Sequence, residues 1–363
     1  MTQELSRTSA LASRHRALGS GLEDWNGMGT AWSYNTDPND EHDAVRERVG
    51  MFDMSPLKKV FVRGPDAAAT LDHLTTRDMS KIAPGSSAYL CVLTEQGGIA
   101  DDAIVSNNGN DEWMIVHGSG DTMALLEASA EGRNVDITFA DDLHDLSVQG
   151  PDALATLNAA TDIDLAELGY FQHAPATLFG HPCRISRTGY SGERGYEVFA
   201  DGTVITDIWD QLVAKGVMPC SFTALDKVRI EAGLLFYGYD MTDANTPWEV
   251  GLGFTISKDK GDFRGKSALA AAQGKEALNN VCLDIAHPDM VAGGETLSLD
   301  GAEVGVINSP CYSHRMGKSL ALAHIQPCHN AGTVLQVSGD GIETTATVVD
   351  SPIYDPSKSR THA

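Results

Sequence analysis

The chain has 363 residues, enough for two or three domains around a large buried core. Its 26 Lys and Arg against 50 Asp and Glu leave a net charge of −24, a surface that repels phosphate backbones and anionic headgroups, so nucleic-acid and membrane partners are not expected. An apolar fraction of 42% with 21% charged residues excludes a disordered or fibrous chain.

The opening residues, MTQELSRTSALASRHR, are too polar for a secretory leader, and Glu4 counts against an organelle presequence. No later apolar run approaches the ~18 residues of a membrane span. A cytoplasmic location is expected. The six cysteines (Cys91, Cys183, Cys220, Cys282, Cys311, Cys328) are scattered without the close pairing of a zinc ribbon or redox motif, and are expected as buried thiols.

DEHDAVRERV (40–49) places acids before arginines, as the helix dipole favours, and Gly50 is expected to cap that helix in the left-handed conformation. KKVFVRGPDAAATLDHL (58–74) reads as a strand, a Gly64-Pro65-Asp66 corner and a helix with Asp66 at its N-terminal end. The same grammar returns in HDLSVQGPDALATL (144–157), which predicts two related α+β units. Between them, 88–118 reads as an antiparallel meander turning at Gly97-Gly98 and at Asn107 to Asp111. Residues 183–200 form a second hairpin, 204–235 is rich in helix formers, and from about 276 short strands and glycine turns predict an all-β domain.

Most common chemistries fail on motif grounds. Gly251-Leu252-Gly253 and Gly118-Ser119-Gly120 lack the dinucleotide fingerprint, and there is no phosphate loop. No Gly-x-Ser-x-Gly elbow occurs, and no histidines pair at metal-ligand spacing on an evident helix, so no metal is expected. What remains is Asp101-Asp102 on a strand, where alternation sends one carboxylate to each face and only one is expected to act. The glycine-rich hairpin from Arg187 to Glu197 is more specific: Tyr190 and Glu197 at its two ends would offer an aromatic face and a carboxylate to one heterocycle. The alternative is a surface hairpin with a solvated Glu197.

EHDAVRERVGMFDMS, GGIADD, SRTGYSGERGYEVF, KVRIEAGLLFYGYDM, TPWEVGLGFTISKDKGDFRGKSAL and GKSLALAHI occur in the order and near the spacing of one family. Over about residues 12–355 the chain resembles the glycine-cleavage T-proteins, tetrahydrofolate-dependent aminomethyltransferases grouped with dimethylsulfoniopropionate demethylase and the folate domains of sarcosine and dimethylglycine dehydrogenases. The resemblance implies an α+β fold, a three-domain cloverleaf around a folate channel. Residues 1–275 would form the folate-binding region, with subdomains at approximately 51–140 and 1–50 with 141–275, and 276–363 a C-terminal β-barrel. By motif position it places the catalytic aspartate on Asp102 and the pterin-binding carboxylate on Glu197, whose two oxygens suit the paired donors of a pterin edge. Tyr89, Tyr170 and Tyr190 match folate-lining positions, and Ile104 an apolar wall.

The departures from the family pattern bear on substrate. Pro56-Leu57 stands where T-proteins read His-Met, His117 where they place Asn, Phe254 where they place Trp, and Leu225 where they carry Arg. Arg229, one helical turn beyond Leu225, is expected to supply the missing cation to the folate. His117, Leu57 and Trp248 are expected against the substrate. The resemblance with these departures implies a tetrahydrofolate-dependent demethylase that moves a methyl group from a small methylated amine or sulfonium compound. The alternatives are the aminomethyltransferase of glycine cleavage, served by a lipoyl carrier protein, and a non-catalytic folate-binding protein.

Overall fold

A computed structural model describes residues 5–327 and 329–363. Glu4 and Cys328 lie outside the described residues. The five described cysteines are free thiols.

Three β structures carry the chain. The first is a five-stranded antiparallel sheet in the order Ser87–Leu93, Ile99–Gly109, Glu112–His117, Lys58–Arg63, Asp136–Phe139. The second has six strands, His173–Leu178, His181–Ser186, Gly195–Asp201, Leu143–Gln149, Gly50–Asp53 and Met218–Pro219, the last pair parallel. The third is a closed six-stranded barrel from Asn279–Ile285 to Ile342–Val349. The subdomain boundary expected at residue 51 needs correction, because strand Gly50–Asp53 belongs whole to the second sheet. The helix-rich stretch 204–235 resolves into two helices, Gly202–Ala214 and Phe222–Glu231, split by Met218–Pro219.

Strand alternation gives each sheet an outer, helix-covered face and an inner one. On the outer face of the first sheet Val60, Val62, Val105 and Ile115 pack with Leu71 and Leu74 of helix Ala67–Leu74. On the second, Leu146, Val148 and Val198 pack with Ile205, Ile208 and Leu212 of helix Gly202–Ala214. The inner faces meet where Met114 and Val116 touch Phe199. Backbone bonds from Ser87 N–H to the Phe171 carbonyl (2.7 Å) and from His173 N–H to that of Gly85 (2.9 Å) stitch the sheets together beside this meeting.

The repeated corner has one geometry in both units. Gly64 and Gly150 sit at φ +121° and +130°, and each carbonyl accepts the N–H three residues on, from Ala67 and Ala153, at 3.0 Å. Asp66 stands at the N-terminal end of its helix as expected; its side chain does not bond the first turn, and its Oδ2 accepts the Asn134 N–H at 2.7 Å and ties down the loop before strand Asp136–Phe139. One expectation needs correction: Gly50 is not a left-handed cap. It opens a strand, where a Cβ would lie 2.7 Å from both Val45 Cγ2 and Cys220 Sγ. Helix Pro38–Glu47 is capped at its start, by the Asp37 side chain accepting the Asn39 N–H.

A Cβ on Gly150 would stand 2.6 Å from the Arg48 carbonyl oxygen, whereas one on Gly132, also at positive φ, meets nothing within 4 Å. Gly150→Ala is therefore expected to cost more than about 2 kcal/mol of stability and Gly132→Ala distinctly less, read as the shift in denaturant midpoint.

Candidate functional site

Between the two inner faces lies a cavity of about 680 Å³, closed on its remaining sides by loop 187–195, residues 232–237 and 250–254, and the segment after Ser351. That is within the usual range for a bound cofactor. Tyr89, Asp102, Ile104, Tyr170, Tyr190, Glu197, Phe254 and Leu57 all line it, and so does Leu225. Tyr170 and Phe254 stand at its mouth, 42% and 61% exposed, and Phe254 stacks on Tyr89 at 6.3 Å between ring centres.

Strand Ile99–Gly109 separates its paired acids. Asp101 points to the outer face, wholly buried, and accepts three hydrogen bonds: the Thr122 hydroxyl at 2.7 Å, the Asp102 N–H at 3.0 Å and His117 Nδ1 at 2.9 Å. Asp102 points inward and takes the Tyr89 hydroxyl on Oδ2 at 2.9 Å. Burial pushes its carboxyl up to about 7, the charge of Asp101 adds to the effect, and the Tyr89 hydrogen bond opposes both. Asp102 keeps some exposed surface on the cavity wall.

Across the cavity, Glu197 is raised above the ordinary carboxylate range by burial, against a hydrogen bond from the Thr188 hydroxyl to Oε2. Asp145, on the same face of the neighbouring strand, is fully buried with neither oxygen hydrogen-bonded, and burial followed by the nearby Glu197 pushes its carboxyl well up. The Tyr190 hydroxyl donates to the Leu235 carbonyl, holding loop 187–194 to segment 232–237.

Three expected site residues need correction. Arg229 does not reach the cavity: it is buried in an ion pair with Asp240 at 2.5 Å, with Asp226 at 2.9 Å and Ser309 at 3.1 Å, and braces the barrel. The cation lost at Leu225 is thus not replaced from 229. Trp248 lies behind the wall, its Nε1–H donating to the Leu269 carbonyl at 3.1 Å. His117 touches the cavity at its strand edge, but pairing opposite Ala103 puts its ring on the outer face with Asp101, where it is 1% exposed. Thr188 and segment 232–237 were not singled out in sequence, although both fall inside motif blocks that were.

Because the folded-state carboxyl of Asp102 is raised from the ordinary 3.8 to about 7, its stability penalty is absent at low pH, grows as pH rises between those values, and is constant above. Asp102→Asn, which cannot ionise, is expected to melt above wild type at pH 8 and level with it near pH 4, by differential scanning calorimetry.

A GCVT N-terminal domain model matches residues 11–260 and a glycine cleavage T-protein C-terminal barrel domain model matches residues 279–355. The chain is 44% identical to a heme-dependent oxidative N-demethylase gamma subunit from Ectopseudomonas mendocina, over 98% of this chain and 97% of that one. It is 34% identical to an aminomethyltransferase from Streptomyces coelicolor (98% and 99%), and 35% to a trimethylamine-oxide aldolase from Ruegeria pomeroyi, over 89% of this chain but 44% of that longer one. The crystal structure of aminomethyltransferase T from Bartonella henselae superposes with a TM-score of 0.90 at 26% identity, covering 96% of this chain and 98% of that one. With both family models matched in order and the fold shared throughout, the chain belongs to the glycine-cleavage T-protein family of folate-dependent one-carbon transferases.

Proposed function

We propose that this protein loads a carbon at the oxidation level of formaldehyde, released by oxidation of an N-methylated amine, onto tetrahydrofolate. The observation that carries this reading is Asp102 on the cavity wall, with Oδ2 held by the Tyr89 hydroxyl at 2.9 Å and Oδ1 left toward the cavity, where burial raises its carboxyl to about 7. Direct methyl transfer from an ammonium or sulfonium donor releases a neutral leaving group and needs no such acid. Condensing an aldehyde carbon with two amines does. The relative named as an oxidative N-demethylase subunit supports the same choice, with an oxidising partner supplying the carbon.

The cavity suits a reduced folate. Glu197 Oε2 takes the Thr188 hydroxyl, leaving Oε1 for a donor on a pterin edge, and Tyr89, Tyr190 and Phe254 offer flat faces. Bound there, the folate supplies two N–H groups, and an aldehyde carbon joined to both nitrogens loses its oxygen as water with those two protons. Tyr89 occupies Oδ2 of Asp102, so the carboxyl proton sits on Oδ1, from which Asp102 donates to the departing oxygen and then recovers a proton. Leu225 leaves the wall uncharged at the family's arginine position, which suits a small neutral aldehyde. The aminomethyltransferase reading keeps support from the shared fold and the 34% relative.

Two measurements check this reading. Glu197→Gln, which can no longer accept two charge-assisted bonds, is expected to weaken tetrahydrofolate about 10- to 100-fold by calorimetry with an unchanged melting temperature. With ¹³C-formaldehyde and tetrahydrofolate, wild type is expected to form 5,10-methylene-tetrahydrofolate above the uncatalysed rate. Asp102→Asn should cut that rate by about 10²–10⁴, and Asp101→Asn by less. Formation of 5-methyl-tetrahydrofolate from a methylated amine without an oxidant would replace this reading with direct methyl transfer. Release of ammonia from an aminomethylated lipoyl protein would replace it with glycine cleavage.

A further inference from the structure

Away from the cavity, the described residues hold one group of three histidine and carboxylate side chains whose ligand atoms converge. His42 lies on the inner side of helix Pro38–Glu47, wholly buried, with Asp43 beside it. His314 sits in the barrel turn between strands Ala302–Ser313 and Lys318–Ile325, its ring edge-on to His42 with centres 4.8 Å apart. One nitrogen of each histidine and a carboxylate oxygen of Asp43 all fall within 4.8 Å of one another.

The hydrogen bonds around both rings leave a nitrogen unused. His42 Nε2 is 2.9 Å from Glu231 Oε2, so Nε2 carries the proton and Nδ1 keeps a lone pair. That Nδ1 is buried without a hydrogen-bond partner and lies 3.7 Å from Asp43 Oδ1. His314 Nε2 is 2.9 Å from the same Asp43 oxygen, and its Nδ1 is likewise buried and unpartnered. In His42 a carboxylate holds one nitrogen and leaves the other bare, the arrangement that orients metal-binding histidines, whereas His314 would ligate through Nε2, the nitrogen facing Asp43, giving up that hydrogen bond. At metal–ligand distances of about 2.0–2.2 Å, tetrahedral ligand atoms stand roughly 3.3–3.5 Å apart. The spacings here, 2.9 Å from His314 Nε2 to Asp43 Oδ1, 3.7 Å from His42 Nδ1 to that oxygen, and none beyond 4.8 Å, reach that geometry by small side-chain rotations of Asp43 and His314.

We propose that His42, Asp43 and His314 bind a divalent first-row transition-metal ion, with Zn²⁺ best suited to a two-nitrogen, one-oxygen set completed by water. Asp43 and His314 keep exposures of 36% and 23%, which gives the ion a way in. Arg315 competes for Asp43 Oδ1 at 2.8 Å, but it also holds Glu47 at 2.6 Å and can stay there when Asp43 turns to the metal. The ion would clip the barrel turn to the folate-binding region.

The test uses the full chain stripped with chelator and titrated with Zn²⁺ by calorimetry, and with Co²⁺ by visible absorption. Wild type is expected to bind one equivalent in the micromolar range or tighter and to melt at a temperature that rises with free Zn²⁺. His314→Ala, on a partly exposed turn, should fold normally, bind at least about 10-fold more weakly and lose the thermal shift. Asp43→Asn should weaken binding, and Arg315→Ala should tighten it. Absence of saturable uptake by folded wild type, or unchanged Zn²⁺ affinity in His314→Ala, would overturn the proposal.

Discussion

The cavity depends on the burial of one guanidinium. Arg46, 2% exposed, binds Glu231 at 2.8 Å and Glu193 at 3.1 Å, and donates to the carbonyls of Ser191 and Val228. Those partners come from helix Phe222–Glu231 and from the loop that walls the cavity, while Glu231 also takes the Ser313 hydroxyl from the barrel at 2.6 Å. Burial alone would push the Glu231 carboxyl up, but the His42 hydrogen bond and the Arg46 charge bring it down to about 2. Tyr354 stacks under Arg46 at 3.9 Å and hydrogen-bonds Glu193 at 2.6 Å, so the segment after the barrel is anchored to the same point. Removing one partner of such a buried pair costs about 3–5 kcal/mol because the other charge stays desolvated. The joint thus ties the loop of the second sheet, helix Phe222–Glu231 and the barrel to one point, while the first sheet is held to the second by the bonds at Ser87 and His173.

Within that frame, one strand assigns chemistry by parity. Asp101 and Asp102 differ by a single step along Ile99–Gly109, yet one carries three hydrogen bonds behind the sheet and the other a single hydroxyl facing the cavity. Asp101 is saturated with donors, and its negative charge helps keep a proton on Asp102. His117 and Thr122 therefore act on Asp102 at one remove, by fixing the carboxylate that sits behind it. His117, where the family pattern has Asn, reaches Asp101 through Nδ1 at 2.9 Å and so fixes the position of the carboxylate behind Asp102.

What was legible in the sequence follows from range. Local grammar located the strand, Gly-Pro-Asp corner and helix twice, the meander and the hairpin, because glycine at positive φ and alternating apolar residues are decided within a few neighbours. Alternation also predicted that the two acids would part, without saying which faced the ligand; the family motif was needed for that. Arg229, Trp248 and the ring of His117 were misplaced because their partners, Asp240 and Ser309, Leu269, and Asp101, are set by packing that helical or strand spacing does not reveal. Arg46 and Glu231 lie 185 residues apart, and only the assembled fold shows them as one joint.

The placement of charge bears on what can enter. Asp102, Glu197 and Asp145 stand on inner faces; of the cations near them, Arg229 is spent on Asp240, while Lys59, on the inner face with Val116, donates to the Ser55 and Leu57 carbonyls at 2.9 Å and its charge acts to lower Asp145 and Glu197. With Leu225 at the arginine position, the wall there offers no fixed positive charge to a carboxylate-bearing substrate. The lining also carries Arg187, which donates to the Leu168 and Ala363 carbonyls, and Lys358, so its positive charge comes from loop 187–195 and the segment after Ser351. Burial pushes all three carboxyls upward, against the Tyr89 hydrogen bond at Asp102, the Thr188 hydrogen bond at Glu197 and the charge of Lys59 at Asp145. Under the proposed reading such a cavity suits a small neutral carbonyl compound beside a folate, with Asp102 as the acid for the oxygen that leaves as water.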